Sequence, residues 1–198
     1  MMNEARSQTI DSALAISRRK ALSAALWVSA FTILTAVGAQ VSIPTWPVPI
    51  TLQTFFVLLS GAFLGARKGC ASQLAYLTAG AAGLPVFANG SGSFLHLMGP
   101  TGGYLLAFPA ASFLIGFLIH DTPILRRIPR LAHALFAMAA GLAVVFLLGI
   151  AQLYLTVFHG WRTAFEAGFL GLQWWDGLKL LAAASIYAEV SRRYSRVA

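Results

Sequence analysis

The stretch QWWDGLKLLAAASIYAEV, residues 173–190, combines the apolar composition of a membrane span with two formal charges of opposite sign. Asp176 and Lys179 are three residues apart, so on a helix they share one face. A charged side chain at the centre of a membrane helix costs about 2.5–3.5 kcal/mol on insertion scales. An ionisable residue in such a segment therefore indicates a functional site, unless Asp176 only caps the helix and Lys179 only neutralises it.

The composition of the whole chain points to a membrane protein. Of its 198 residues, 58% are hydrophobic and 10% are charged, whereas a soluble domain carries about 25% charged residues. The single cysteine, Cys70, excludes an internal disulfide and a cysteine-rich metal site. The sequence contains neither a P-loop nor paired histidines at metal spacing. We therefore expect no metal and no cofactor.

Apolar segments that approach the length of a bilayer span recur along the chain. They lie near residues 21–41, 51–66, 69–83, 104–120, 132–158 and 175–190. We therefore predict an all-α polytopic membrane protein, with six transmembrane helices in one domain over residues 21–190. Residues 1–20 then form a cytoplasmic N-terminal segment, and residues 191–198 form a cytoplasmic basic tail.

Basic residues are sorted between the connections of this six-span arrangement. Alternate connections and the flanks carry Arg18, Arg19, Lys20, Arg67, Lys68, Arg126, Arg127, Arg130, Arg192, Arg193 and Arg196. Residues 42–50 and 84–103 have no basic residue, and residues 159–174 have only Arg162. Because short basic loops stay in the cytoplasm, we predict a multi-pass cell-membrane protein with both termini cytoplasmic. This topology accounts for the net charge of +8, so we expect lipid and not nucleic acid as a partner.

Candidate ligand groups lie on the connections without basic residues. The first, SIPTWPVPI (42–50), places three prolines around Trp46, which predicts a stiff apolar loop that covers a ligand or simply connects two helices. The second, AGLPVFANGSGSFLHLMGPTGGY (82–104), is rich in glycine and proline and contains Asn89. Such a loop suits the lining of a pocket. We interpret His96 in this stretch as a hydrogen-bonded loop residue.

Small residues recur every fourth position on two parts of the chain, at Gly61, Gly65 and Gly69 and at Ala21, Ala25 and Ser29. This spacing lets helix backbones approach closely. For the glycines we predict packing within the chain. The row on the first helix starts at its basic end, so a partner protein is a second interpretation there.

Motifs between about residues 20 and 190 form a recognisable set. They are ITLQTFFVLLSGAFLG (50–65), LGARKG (64–69), YLTAGAAGLPVFANG (76–90), GPTGGYLLAF (99–108) and DGLKLLAAA (176–184). Together they resemble the BioY family, whose members are biotin-binding S components of energy-coupling factor (ECF) vitamin transporters.

This resemblance implies six membrane helices, a biotin pocket at the outer side and a lid formed by the first outer loop. It also implies a transmembrane T component and a pair of ATPases as partners. Ala21 and Ala25 match an A-x-x-x-A row that contacts the T component in the family. Some members act without a dedicated energising module, so a solitary biotin transporter is an alternative.

The resemblance also assigns Asn89, Asp176 and Lys179 to the pocket, while a further basic residue of some members has no counterpart in residues 82–104. The chemistry of biotin agrees. A carboxylate accepts a ureido N–H, an asparagine amide donates to the ureido carbonyl, and a lysine pairs with the anionic tail. We expect apolar walls from Phe87, Trp175 and Trp46.

Three other functions compete with biotin binding. An S component for another vitamin, such as thiamine or riboflavin, shares the six-helix fold. An intramembrane serine protease needs a Gly-x-Ser-Gly motif, but Asn89 stands two residues before Ser91, and the last span has no histidine base. We therefore expect no enzyme. An assembly factor without a ligand leaves the intramembrane Asp/Lys pair unexplained.

Overall fold

The computed structural model describes residues 2–122, 128–170 and 173–197, with the side chains of residues 16–122, 128–170 and 174–193. This part of the chain is mostly helical. In chain order its helices are α1 (Met2–Gln40), α2 (Gln53–Leu64), α3 (Ala66–Ala81), α4 (Phe94–Met98), α5 (Gly102–Gly116), α6 (Arg130–Leu153), α7 (Trp161–Phe165) and α8 (Gln173–Val197). Helix α5 packs against α2, α3 and α6 and so occupies the centre of the bundle.

Each of the six apolar segments predicted from the sequence corresponds to a helix, so the prediction of a helical protein is confirmed. Among the described residues, three helices are long and apolar enough to cross a membrane: Ile16–Gln40, Gly102–Asp121 and Arg130–Phe158. The last two include π-helical turns that extend α5 and α6. Helix α2 is a shorter apolar helix.

The two ends of the chain continue the first and last helices. Helix α1 begins at Met2, and helix α8 reaches Val197, so no helix boundary coincides with residue 20 or residue 191. Of the basic residues in the predicted topology, Arg126 and Arg127 lie outside the described residues, as does the side chain of Arg196.

The proline-rich connection between α1 and α2 contains a short β-hairpin that the sequence pattern did not predict. Strand β1 (Ser42–Ile43) pairs antiparallel with strand β2 (Ile50–Thr51), with Ser42 opposite Thr51 and Ile43 opposite Ile50. Pro44, Pro47 and Pro49 all lie between the strands, because proline cannot donate to a β-ladder. The hairpin closes the proline-rich segment into a loop with both ends fixed.

Glycines let α2, α3 and α5 approach closely. A Cβ atom on Gly61 would lie 2.5 Å from the backbone oxygen of Ser112, and one on Gly69 would lie 2.5 Å from Ser112 Oγ and 3.0 Å from Gly61 Cα. The prediction that these two glycines pack within the chain is therefore confirmed. Gly65 serves differently. Its φ of 78° between α2 and α3 is a conformation that favours glycine.

A hydrogen-bonded cluster joins the same helices to α1. Its members are buried: Thr35, Ser60, Ser72, Gln73 and Ser112. Gln73 Nε2 donates to Thr35 Oγ1 at 3.2 Å and to Ser60 Oγ at 3.1 Å, and the hydroxyls of Ser60 and Ser112 are 2.9 Å apart. Since hydrocarbon offers no hydrogen-bond partner, polar side chains in the bundle must satisfy one another.

The glycine contact predicts a specific loss of stability. We expect Gly61→Ala to lower the free energy of unfolding by about 1–3 kcal/mol, because its Cβ meets a backbone oxygen that cannot rotate away. Gly177→Ala is the matched control, since nothing lies within 4 Å of its Cβ position. Thermal unfolding of both variants in one detergent provides the measurement. Equal melting temperatures for the two variants would contradict close packing at Gly61.

Candidate ligand-binding site

A cavity of about 570 Å³ lies against the proline-rich loop between α1 and α2, within the usual size range of small-molecule sites. Residues 44–51, the whole loop between the paired strands together with β2, line it. The other lining residues come from α2, α5, α6 and α8 and from the segments in and around α4. The loop that the sequence predicted as a cover therefore lies on the cavity.

Asp176 and Lys179 both line this cavity and contact each other. Lys179 Nζ donates to Asp176 Oδ1 at 2.7 Å and to Thr54 Oγ1 at 3.2 Å, while the Thr54 hydroxyl donates to Asp176 Oδ1 at 2.6 Å. The side chains of Lys179 and Asp176 are only 12% and 9% exposed. Among the lining residues that the structure describes, these two alone carry formal charges.

The sequence left two interpretations of this pair open, mutual neutralisation and a functional site, and the arrangement is compatible with both. The two charges neutralise each other, and they also face a cavity. A buried pair of this kind loses several kcal/mol if one partner is removed, since the other charge is left uncompensated. Among the described residues, both side-chain donors to the Asp176 carboxylate donate to the same oxygen, Oδ1. Asp176 Oδ2 and the third N–H of Lys179 are therefore the groups of the pair that remain for a ligand.

Asn89 lines the cavity from a tight turn over residues 88–90. Its backbone has φ 58° and ψ 31°, a left-handed conformation that asparagine tolerates better than most residues. Ser42 Oγ donates to Asn89 Oδ1 at 3.1 Å. Because the carbonyl oxygen is engaged in this way, the amide N–H groups of Asn89 are the ones left to face a ligand.

Gln40, the last residue of α1, holds this turn in place. Its Nε2 donates to the carbonyl oxygen of Phe87 at 3.0 Å, and its Oε1 accepts from the backbone N–H of Gly90 at 3.1 Å. One side chain therefore binds the turn on both sides of Asn89. Two hydrogen bonds therefore connect the end of α1 to the loop that carries Asn89.

His96 also lines the cavity, where it is hydrogen-bonded as the sequence indicated, although it lies in the short helix α4 and not in a loop. Its Nε2 lies 3.2 Å from Thr101 Oγ1, and its ring stacks on that of Phe87 with centroids 5.3 Å apart. Burial lowers the pKa of His96 from its ordinary value. The lowered pKa favours the neutral imidazole, which adds a hydrogen-bonding group to the cavity.

The three aromatic residues predicted as ligand walls occupy different places. Trp46 lines the cavity and packs edge-on against Phe158 with centroids 5.5 Å apart. Phe87 is fully buried behind the lining, and its ring fills the space over Gly80. Trp175 is 47% exposed and is not a lining residue. The structure does not bring Phe87 and Trp175 to the cavity, and their role as ligand walls stays a prediction.

Among the lining residues that sequence reasoning missed, three have a clear part in the site. Tyr104 and Phe108 of α5 supply aromatic lining, and Thr54 of α2 bridges the charged pair. Tyr104 and Phe108 are four residues apart within GPTGGYLLAF, so their shared helix face was a usable signal. Nothing in the local sequence distinguishes Thr54 from an ordinary residue of the first helical turn.

Comparisons with known proteins place the chain among biotin transporters by similarity. The chain is 44% identical over 156 residues to the biotin transporter BioY of Thermotoga maritima, an alignment that covers 79% of this chain and 88% of the relative. It is 32% identical to the biotin transporter BioY of Rhizobium etli, over 77% of this chain and 83% of that one.

Among solved structures, the fold is similar to the crystal structure of the S-component for biotin from an ECF-type ABC transporter. The TM-score is 0.81 at 25% sequence identity, and the match covers 88% of this chain and 93% of that one. A sequence model of the BioY family matches residues 7–196. The chain belongs to the BioY family.

Proposed function

We propose that this protein binds biotin in the cavity and delivers it across the cell membrane as the S component of an ECF-type transporter. The observation that carries the proposal is the buried Asp176–Lys179 pair on the wall of a cavity that a proline-rich loop covers. The biotin transporters and the biotin S-component to which the chain is similar support it.

The cavity offers groups that match each part of biotin. The ureido ring has two N–H donors and one carbonyl acceptor. Asp176 Oδ2 accepts a ureido N–H, and the amide of Asn89 donates to the ureido carbonyl. The thioether ring and the valeryl chain pack against Trp46, Tyr104 and Phe108, which supply the apolar surface that small-molecule sites require.

The contact between Asp176 and Lys179 bears on how biotin lies in the cavity. The sequence suggested that Asp176 meets the ureido ring and Lys179 the tail carboxylate. However, Lys179 Nζ and Asp176 Oδ1 are 2.7 Å apart, whereas the thioether ring and the whole valeryl chain separate the two ends of biotin. The pair therefore meets one end of the ligand. Because the pair is net neutral, we assign it to the neutral ureido ring and leave the anionic tail toward the mouth.

Uptake requires partners in this proposal, because the sequence contains no ATPase motif. Ala21 and Ala25 are exposed on α1, which leaves them accessible to a T component that is coupled to a pair of ATPases. The proposed topology has six membrane helices, with residues 1–20 and 191–198 on the cytoplasmic side. A solitary biotin transporter and an S component for another vitamin are the alternatives, and neither is an enzyme.

The ligand itself is tested by native mass spectrometry of the purified protein. We expect a mass increment equal to one biotin. When isotopically labelled biotin is added, it should replace the bound biotin, and the increment should rise by the mass of the label. Thiamine and riboflavin at the same concentration are the controls. Displacement of the increment by either vitamin, and not by biotin, would assign the protein to the other vitamin.

Substitution of the charged pair tests its role. We expect Asp176→Asn and Lys179→Gln each to weaken biotin binding by about one to two decades, since a hydrogen bond to a charged group contributes about 1.5–3 kcal/mol. If the pair binds the ureido ring, biotin methyl ester weakens by the same factor as biotin. Calorimetric titration measures both ligands.

The controls for this experiment are in the same protein. Arg162→Gln and Glu166→Gln remove charges from an exposed ion pair outside the cavity and are expected to bind biotin normally. If Lys179→Gln weakens the binding of biotin more than the binding of its methyl ester, the tail carboxylate contacts Lys179 and our assignment of the pair to the ureido ring is wrong. If a double variant of Asp176 and Lys179 binds biotin like the unsubstituted protein, the two residues only neutralise each other and do not contact the ligand.

The topology is tested by cysteine labelling in a Cys70→Ala background. Leu95 is 77% exposed on the proposed outer side, and Ile128 is 39% exposed on the proposed inner side. We expect Leu95→Cys in intact spheroplasts to react with a membrane-impermeant maleimide, and Ile128→Cys to react only after lysis. The reverse pattern would invert the topology.

The partner contact is tested by a bulky substitution on the exposed row. We expect Ala25→Trp to abolish uptake that depends on the T component and to leave biotin binding by the purified protein unchanged. Leu26→Trp, also exposed on α1, is the matched control and should retain uptake. Loss of biotin binding in Ala25→Trp would show that this row serves the fold and not a partner.

A further inference from the structure

A second large cavity, which we call the inner groove, lies at the opposite end of the molecule from the proposed biotin site. It has a volume of about 820 Å³ and runs along α1, between this helix and the turn that joins α2 to α3. Arg19, Lys20 and Lys68 line its basic end. An adjoining cavity shares Arg19, Ser23 and Trp27 with it, so the groove continues along the exposed face of α1.

The walls of the inner groove change from basic to apolar along its length. Beyond the three basic side chains it is lined by Trp27, Phe31 and Phe63. Trp27 is 60% exposed and Phe63 is 37% exposed, so large apolar surfaces lie open next to fixed positive charges. A groove that is cationic at one end and apolar beyond it fits a ligand with an anionic head and a hydrocarbon tail.

The length of the groove matches one leaflet of a membrane. Twelve residues separate Arg19 from Phe31 on α1, which at 1.5 Å per residue is about 18 Å. The hydrocarbon core of a bilayer is about 30 Å thick, so one leaflet is about 15 Å. An acyl chain that follows the groove from its basic end therefore stays within the leaflet on that side.

The charge of the inner groove is not cancelled by the neighbouring acidic residue on α8. Glu189 precedes the groove residue Val190, but its carboxylate pairs with Arg192 at 2.7 Å and with Arg193 at 2.9 Å. Among the side chains that the structure describes, no carboxylate is paired with Arg19, Lys20 or Lys68. Basic pockets between membrane helices bind anionic lipid head groups, at a surface that already attracts polybasic segments.

From these observations we propose that the inner groove is a binding site for one anionic phospholipid. Its phosphodiester lies among Arg19, Lys20 and Lys68, and one acyl chain lies against Trp27 and Phe31. Ala21 and Ala25 do not line the groove, so the lipid and a T component occupy different faces of α1. The site goes beyond the proposed function and does not depend on bound biotin.

The test is a lipid titration of the purified full-length protein, followed by native mass spectrometry. Phosphatidylglycerol and phosphatidylcholine with identical acyl chains are the probes. We expect the unsubstituted protein to bind phosphatidylglycerol about tenfold more tightly. Arg19→Gln with Lys68→Gln should reduce that affinity about tenfold and leave phosphatidylcholine unchanged.

Two matched variants separate a site from general attraction. Arg18→Gln with Arg67→Gln removes the same charge from adjacent exposed positions that do not line the groove, and it should keep the preference. Trp27→Ala should weaken retention of phosphatidylglycerol severalfold, whereas Trp174→Ala, at an exposed tryptophan outside the groove, should not.

Three results would overturn the proposal. Equal binding of the two lipids by the unsubstituted protein would leave only ordinary surrounding lipid. Equal losses in the groove variant and in the matched charge variant would mean attraction by net charge alone. Release of phosphatidylglycerol by millimolar inorganic phosphate would reduce the groove to an anion site without a lipid chain.

Discussion

Asp176 and Lys179 lie near the start of α8 with little of their side chains exposed, so the surrounding structure must satisfy both charges within the protein. Their contact at 2.7 Å removes most of the net charge but not the need for hydrogen bonds. Thr54 of α2 provides two of these bonds, which ties the start of α8 to the start of α2 across 122 residues of sequence. The proline-rich loop covers the same point from outside. The loop and the helices around the cavity together bury both charges.

The remainder of the bundle follows the same rule with neutral groups. Gln73 Nε2 donates to Thr35 and Ser60 where α1, α2 and α3 meet, and the hydroxyl of Ser112 extends this cluster to α5. Gln73 Oε1 is buried without a partner among the described residues. Such a network requires short distances between backbones, which Gly61 and Gly69 permit because they carry no Cβ. The glycines therefore let the backbones come close enough for the polar side chains of neighbouring helices to hydrogen-bond.

The sequence predicted the helices well because length and apolarity decide which segments enter a membrane. It also indicated Asp176, Lys179 and Trp46 as site residues, since charges in an apolar segment and prolines around an aromatic residue are unusual, while the resemblance to the BioY family added Asn89. The structure places all four at one cavity. Tyr104 and Phe108 share a helix face that the sequence could have indicated. Thr54 could not be chosen from the sequence, because its importance comes from Asp176 and Lys179, which lie far along the chain.

Two further differences have physical reasons. The strands of the outer hairpin have two residues each, which is too short for an alternating pattern to be visible. Phe87 follows the pattern of a ligand-facing aromatic residue by its position beside Asn89. Its ring, however, occupies the space over Gly80, where a Cβ atom would lie 2.1 Å from it. Gly80 of α3 has no side chain, and the Phe87 ring therefore fits into the space that this leaves.

Gln40 gives the molecule a connection between its two ends. Helix α1 is continuous from Met2 to Gln40, and the rise of 1.5 Å per residue places Gln40 about 28 Å from Ala21. Its side chain holds the turn on both sides of Asn89 through Phe87 and Gly90. One continuous helix therefore carries both Ala21 and Ala25, the row proposed as a partner contact, and the side chain that fixes the turn at the cavity. A change in the tilt of α1 would move the proposed partner surface and the wall of the proposed biotin pocket together.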